Sequence, residues 1–210
     1  MEVTDPYDDR ADPWFVTNGL LVVELMTGQL QLGNTAFEAR APAEVNVAGD
    51  ANDPNAPTYA SFMNLRSPYT GPEPVTLTQQ INRAGTVTHD ERFAAYGATV
   101  SQYAGDTGHW IATPFWEFMT ATGVIWQNDD WAIDAMFSNP YYATGFPLTE
   151  PYWATVALKG VPTDVLMQCF ERRCLTWTPT NPEGWKAEAG NVGLHYYLWR
   201  YGKLPPRPVG

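Results

Sequence analysis

Proline and glycine cut this chain into short pieces. Eighteen Pro and 17 Gly are spread over 210 residues. Asn and Asp join them in the first half, where Asp5-Pro6-Tyr7-Asp8-Asp9 and Gly49-Asp50-Ala51-Asn52-Asp53-Pro54-Asn55 read as turns. Proline ends helices and removes a donor from a strand ladder, so only short elements fit between the breaks. Gly19 opens an apolar run through Leu25, Thr27-Gly28 is a turn dipeptide, and residues 29–33 alternate with period two. Together they predict a hairpin with one partly exposed face. Residues 45–48 predict a shorter strand. A second hairpin is predicted from Val165 through Phe170, turning near Glu171-Arg172 and returning through Cys174-Leu175-Thr176-Trp177.

Three helices carry cap and stop signals. Thr113 and Pro114 open residues 113–122 before Gly123, residues 88–96 stop at Gly97, and residues 191–201 stop at Gly202. Residues 59–65 and 77–84 carry fainter helical signals. No βαβ rhythm appears. The expected fold class is α+β, short antiparallel β-hairpins with short helices.

An internal echo adds a degenerate repeat to that expectation. Residues 1–6, then Trp14 and Asn18-Gly19-Leu20, parallel residues 175–179, then Trp185 and Asn191-Val192-Gly193. Each is a short strand, a proline turn, a tryptophan and an Asn/Gly stop. Phe170-Glu171-Arg172-Arg173 precedes the second copy, so the first reads as beginning partway into a unit. Chance similarity of turn-rich text is the alternative.

Charge narrows the function. Twelve Lys and Arg against 23 Asp and Glu give a net charge of −11. That balance argues against nucleic acid and against anionic membrane surfaces, which need clustered cations. No apolar run approaches a membrane span of about 18 residues, and no signal peptide opens the chain.

Thr107-Gly108-His109, Phe115-Trp116-Glu117-Phe118, Thr144-Gly145-Phe146-Pro147-Leu148-Thr149-Glu150-Pro151, Gln168-Cys169-Phe170-Glu171-Arg172-Arg173 and Gly190-Asn191-Val192-Gly193-Leu194-His195-Tyr196-Tyr197 occur in order. Together they resemble an uncharacterised family of secreted proteins from Chloroflexota. The first half adds Asn18 to Leu25, Ala48-Gly49-Asp50 and Pro57-Thr58-Tyr59-Ala60. The Gly-Phe-Pro-Leu segment followed by a Gln-x-Phe-Glu hairpin is distantly similar to the LGFP repeats of bacterial envelope proteins. The resemblance implies an exported, extracellular or cell-surface role near glycans and supplies no catalytic residues. It divides the chain into a hairpin-rich unit over residues 1–105, truncated at its start, an LGFP-like unit over 106–203, and a proline-rich tail over 204–210.

Chemistry is sparsely signalled. No Gly-x-Ser-x-Gly, Walker loop, Gly-x-Gly-x-x-Gly or His-Glu-x-x-His occurs. His89, His109 and His195 have no local ligand spacing; a metal site would need them to converge with Asp90 or Asp106, and no metal or cofactor is expected. The plain reading is that they stand near a helix start, in a turn and beside Trp199. Asp50 to Asn55 has calcium-like oxygen ligands without the full loop, and Asx turns explain the same letters. On one continuous strand Cys169 and Cys174 would be about 16 Å apart and could not bond, whereas across a tight hairpin they would face each other, and an exported location would allow a disulfide. A nucleophilic cysteine paired with His195 has no supporting motif.

Two acids have surroundings that raise a carboxyl pKa. Glu117 lies among Phe115, Trp116 and Phe118, and Glu150 precedes Pro151-Tyr152-Trp153. A glycan hydrolase needs such a pair about 5–9.5 Å apart in one cleft. The alternative is a solvent-facing Glu117 and a turn-capping Glu150 paired with Arg172 or Arg173. The aromatic content is the stronger signal: 14% of the chain is Phe, Trp or Tyr. Trp126 and Trp131 flank Gln127-Asn128-Asp129-Asp130, and Tyr152 and Trp153 follow. Rings stack on sugar C–H faces while amides and carboxylates bind hydroxyls, although each ring alone is more often core. The expected function is therefore a non-catalytic exported module that binds or organises cell-envelope or other polysaccharide. Its expected ligand residues are Trp126, Trp131, Gln127, Asn128, Asp129, Tyr152 and Trp153. A small hydrolase using Glu117 and Glu150, and a structural spacer of a longer surface protein, are the alternatives.

Overall fold

The computed structural model describes residues 2, 3, 7, 9–12 and 14–206. Strands β1 (Glu2–Val3) and β2 (Val16–Thr17) pair antiparallel, and helix α1 (Leu21–Thr27) follows. The first arm of the expected hairpin is thus helical. Val22, Leu25 and Met26, spaced three and four apart, are all fully buried. A short apolar run satisfies both strand and helix periods, and the core selects the helix here. Gly28 closes α1 in the left-handed region at φ 72°, its N–H donating to Glu24 O. The second arm remains a strand, β3 (Gln29–Gln31), but pairs with β4 (Phe37–Ala39). Residues 45–48 contribute a single bridge, Asn46 with Thr58.

A 3₁₀ helix, Tyr59–Leu65, precedes β5 (Gln79–Ile81) and β6 (Val87–His89). Residues 77–84 are therefore strand and turn, not helix. The helix expected over 88–96 is a 3₁₀ helix over Glu91–Tyr96, begun by Asp90, whose carboxylate accepts the Arg92 N–H, and ended by Gly97. Next come β7 (Val100–Ala104), β8 (His109–Ala112) and α2 (Thr113–Met119). Helix α2 stops short of Gly123, which lies in β9 (Thr122–Gln127) opposite β10 (Asp130–Ala135). The chain finishes with β11 (Tyr152–Leu158), β12 (Val161–Cys169), β13 (Cys174–Trp177), β14 (Ala187–Ala189) and α3 (Val192–Tyr201), capped by left-handed Gly202.

The central sheet has the order β14-β13-β12-β11-β5-β6. Its pairs are antiparallel except β11 with β5, which run parallel at Trp153 and Gln80. The chain is an α+β protein. Both faces of the sheet are covered over the second half of β12, so Val165 to Cys169 are all buried rather than alternating in and out. Val165, Met167 and Cys169 pack with Val22, Leu25 and Phe62, whereas Leu166 and Phe170 pack with Phe93, Ile111 and Phe115. The first cluster belongs to α1, α3 and the 3₁₀ helix, and the second to β7, β8 and α2.

The boundary expected near residue 105 does not divide these cores. It falls in the turn joining β7 to β8, and β5 and β6 share a sheet with the later strands. Cys169 and Cys174 stand opposite each other in the β12–β13 register and are disulfide-bonded. The echoing segments have the same order of elements. β1, β2 and α1 end at Gly28, and β13, β14 and α3 end at Gly202. Met1, residues 4–6 and residues 207–210 of the tail lie outside the described residues. No helix of the described residues is long and apolar enough to cross a membrane.

Candidate functional site

Two places combine chemistry with access. The first is the β9–β10 hairpin. Asn128 (φ 53°) and Asp129 (φ 60°) both occupy the left-handed region at its tip. Asn and Asp are the non-glycine residues that tolerate it best, so this two-residue turn is written into the sequence. Gln127 pairs with Asp130, and Trp126 faces Trp131 one step further in. The hairpin is a separate two-stranded sheet rooted at its base, where Met136 N–H donates to Ala121 O and Phe137 meets Phe118. One of its faces carries Val124, Trp126, Trp131 and Ile133 and stays open. Trp126 is 58% exposed and Trp131 67%. Their ring centres are 5.2 Å apart with planes at 74°. The indoles form a corner rather than a flat platform. Gln127, Asn128, Asp129 and Asp130 surround it, all exposed.

Tyr152 and Trp153 do not join this surface. Neighbours on a strand point to opposite faces, and both faces of this sheet are buried. Trp153 is fully buried, stacks on Phe93 at 4.9 Å and donates its indole N–H to Leu77 O at 2.7 Å. Tyr152 packs near Phe62, and burial above all raises its phenol to about 12. Both are core residues, a correction to the expected ligand set.

The second place is Glu150. Its Oε1 accepts from His109 Nδ1 at 3.1 Å and from Trp110 N–H at 3.2 Å. Gln168, fully buried on β12, completes the joint: its Oε1 accepts the Ala112 N–H, and its Nε2 donates to Trp110 O and Thr149 O. These two side chains tie β8 to the central sheet in place of a strand ladder. The preceding turn is tight: Gly108 has φ +76°, and a Cβ there would lie 2.7 Å from Pro68. Glu150 lines a cleft of about 270 Å³ with Tyr69, Glu73, Leu77, His89 and Pro151.

Glu117 is elsewhere. It lies exposed on α2 and lines a different cleft with Phe118, Trp177 and Lys186. The hydrolase arrangement required both acids in one cleft, and these two line separate ones. Glu150 pairs with His109 rather than with Arg172 or Arg173. The histidines do not converge either. His89 lies at the Glu150 cleft with Nδ1 3.3 Å from Thr78 Oγ1, His109 is buried, and His195 on α3 meets the Tyr59 hydroxyl at 2.9 Å.

The calcium-like loop holds its own backbone. Asp50 accepts from Lys159 N–H and Gly160 N–H, and Asp53 accepts from Ala157 N–H and Asn55 N–H. The Ala157 hydrogen bond leads in lowering the Asp53 pKa. Among the described residues no group of acids, histidines or cysteines is arranged to hold a metal ion. Comparison with family models, with curated proteins and with solved structures finds no match.

The sequence marks Glu150 and His109 separately but does not join them; only the β7–β8 hairpin brings His109 to an acid 41 residues away.

Proposed function

We propose that this chain is a non-catalytic, exported or cell-surface module that binds polysaccharide through the β9–β10 hairpin. The observation that carries the reading is the exposed Trp126–Trp131 corner on a projecting hairpin, ringed by amide and carboxylate groups. Large aromatic rings left in water cost about 25 cal/mol per Å² of apolar area, so two together suit a surface that is covered in use. A pyranose presents a C–H face to one indole while its hydroxyls reach Gln127 and Asn128. Rings at 74° suit a single sugar unit or a chain end better than the flat face of a crystalline polymer. Asp129, Asp130 and Asp134, with the −11 net charge, favour neutral or cationic glycans over anionic ones. The buried Cys169–Cys174 disulfide supports an oxidising location.

The test is co-sedimentation with peptidoglycan, chitin, cellulose and xylan, with released reducing ends measured in parallel. Retention without product, lost in the Trp126→Ala plus Trp131→Ala variant, is the expected result. Product formation abolished by Glu150→Gln would overturn the binding reading in favour of hydrolysis. Neither retention nor product would leave the spacer role as the better account.

A further inference from the structure

The two edges of the β9–β10 hairpin are finished differently. Gln127 and Asp130 close the two-residue turn, and Met136 N–H donates to Ala121 O at the base. Ladder hydrogen bonds alternate along an antiparallel pair. Residues 122, 124 and 126 of β9, and 131, 133 and 135 of β10, therefore turn their backbone groups outward. On β10 that edge is guarded. The Asp130 carboxylate accepts the Trp131 N–H at 2.8 Å, and the Asp134 carboxylate accepts the Ala135 N–H at 2.7 Å. On β9 it is open. Thr122, Val124 and Trp126 are exposed, and no group of the described residues bonds their outward N–H or C=O. The strand Thr122–Gln127 also carries neither a charge nor a proline, the usual means of protecting an edge.

We propose that the β9 edge pairs antiparallel with the same edge of a second copy, joining two hairpins into a four-stranded sheet. Outward-facing residues must meet one another, and the register of fullest overlap sets Val124 opposite Val124 on the two-fold axis. Thr122 of each copy then lies opposite Trp126 of the other. Ile125 falls opposite Gly123, with the Met136 side chain beside it. Each large side chain faces a small one, so the edge is complementary to itself. Charge agrees: the neutral strands meet at the centre while Asp130 and Asp134 stay on the outer ones, whereas pairing through β10 would crowd these carboxylates together. The contact uses the strand edge rather than the indole faces and does not depend on the glycan reading. It leaves both indole corners on one face of the sheet, about 14 Å apart along the strands, within reach of one polymer chain. A five-residue edge is a small contact beside the roughly 1,200 Å² at the low end of stable interfaces, so the dimer is weak and dissociates on dilution.

The experiment is sedimentation velocity of the full chain from about 10 μM to about 1 mM, where a reversible rise from monomer towards dimer is expected. Val124→Pro removes an outward N–H that the hairpin itself does not use and should weaken dimerisation at least about tenfold. Ile133→Pro makes the same change on the guarded edge and should leave the affinity within about twofold. Cross-linking reads the register. Both cysteines of the chain are held in the Cys169–Cys174 disulfide, so Val124→Cys supplies a single free thiol. On the axis the two Cα atoms stand about 5.5 Å apart, within disulfide reach. Mild oxidation should give a covalent dimer from Val124→Cys and none from Ile133→Cys. A chain that stays monomeric throughout, or equal cross-linking from both cysteines, would overturn the proposal. So would a dimer that survives Val124→Pro but is lost in Trp126→Ala plus Trp131→Ala, which places the contact on the indole face. Should both proline variants lose the hairpin, the cysteine pair decides.

Discussion

The hydroxyl of Tyr59 lies 2.9 Å from Nδ1 of His195 and fastens the 3₁₀ helix of the first half to α3 near the end of the chain. Burial pushes the Tyr59 phenol well above its ordinary value and lowers the His195 imidazole. Both groups are therefore neutral at pH 7, and the hydroxyl and imidazole share one hydrogen bond.

The pH dependence of stability follows from that pair. The unfolded chain binds a proton at His195 more readily than the folded one. Stability from this site is complete above the ordinary histidine value near pH 6.5 and falls as the pH drops from there towards the lowered folded value. Melting curves between about pH 7.5 and 5.5 should lose part of this slope in His195→Gln. An identical slope would mean that the histidine is equally protonatable in both states.

The tryptophans should separate by role. Trp153→Ala removes a fully buried ring and should cost about 3–5 kcal/mol. Trp126→Ala and Trp131→Ala, on the open hairpin, should each change stability by no more than about 0.5 kcal/mol. Denaturant titration of the three variants checks this, and it also shows whether the binding variants are folded.

Asp50 and Asp53 should behave as turn clamps. Asp50→Ala strips the acceptors from Lys159 N–H and Gly160 N–H and should cost about 1–2 kcal/mol. Because the Asp53 carboxyl is held below its ordinary pKa, its contribution is present above the unfolded value near 3.9 and disappears as the pH falls through the folded one. Millimolar calcium should leave the melting temperature of the wild type unchanged.

The disulfide should contribute about 2 kcal/mol, the amount expected for so short a loop. Both sulfurs are buried, so reductant should open it only once the chain unfolds. Alkylation followed by mass measurement, with and without denaturant, distinguishes the two states.

Much of the fold was legible where the signal is local. Gly97 and Gly202 end their helices as their positions implied, and the β12–β13 hairpin follows its apolar arms, whereas the β9–β10 hairpin with its Asn128-Asp129 turn was not anticipated. Helix α1 was misread because residues 20–25 fit a buried strand or a buried helix equally, and only packing against the Glu171 turn and the core decides. There, Val22 and Val23 N–H both donate to Glu171 O. The site was half legible. Trp126 and Trp131 reached the surface because a tight turn projects them. Tyr152 and Trp153, chosen by the same aromatic reasoning, sit in a strand covered on both sides. Glu150 showed in the text, whereas its union with His109 depends on contacts far apart in sequence.

Helix α1 and the segment after β4 are both joined to α3: the Tyr196 hydroxyl donates to Glu24 of α1 at 2.8 Å, while Trp199 donates to Ala41 O and Arg40 donates to Arg200 O. Strand β5 likewise finds its parallel neighbour only in β11. A chain emerging from the ribosome can therefore pack its early apolar helix against the 3₁₀ helix over Tyr59–Leu65, but not against β12 or α3 until residues 165–199 have appeared. Assembly is tied to the last part of synthesis. Non-local closure of this kind is slow, so the half-made chain is the stage most dependent on a holding chaperone and most open to proteases.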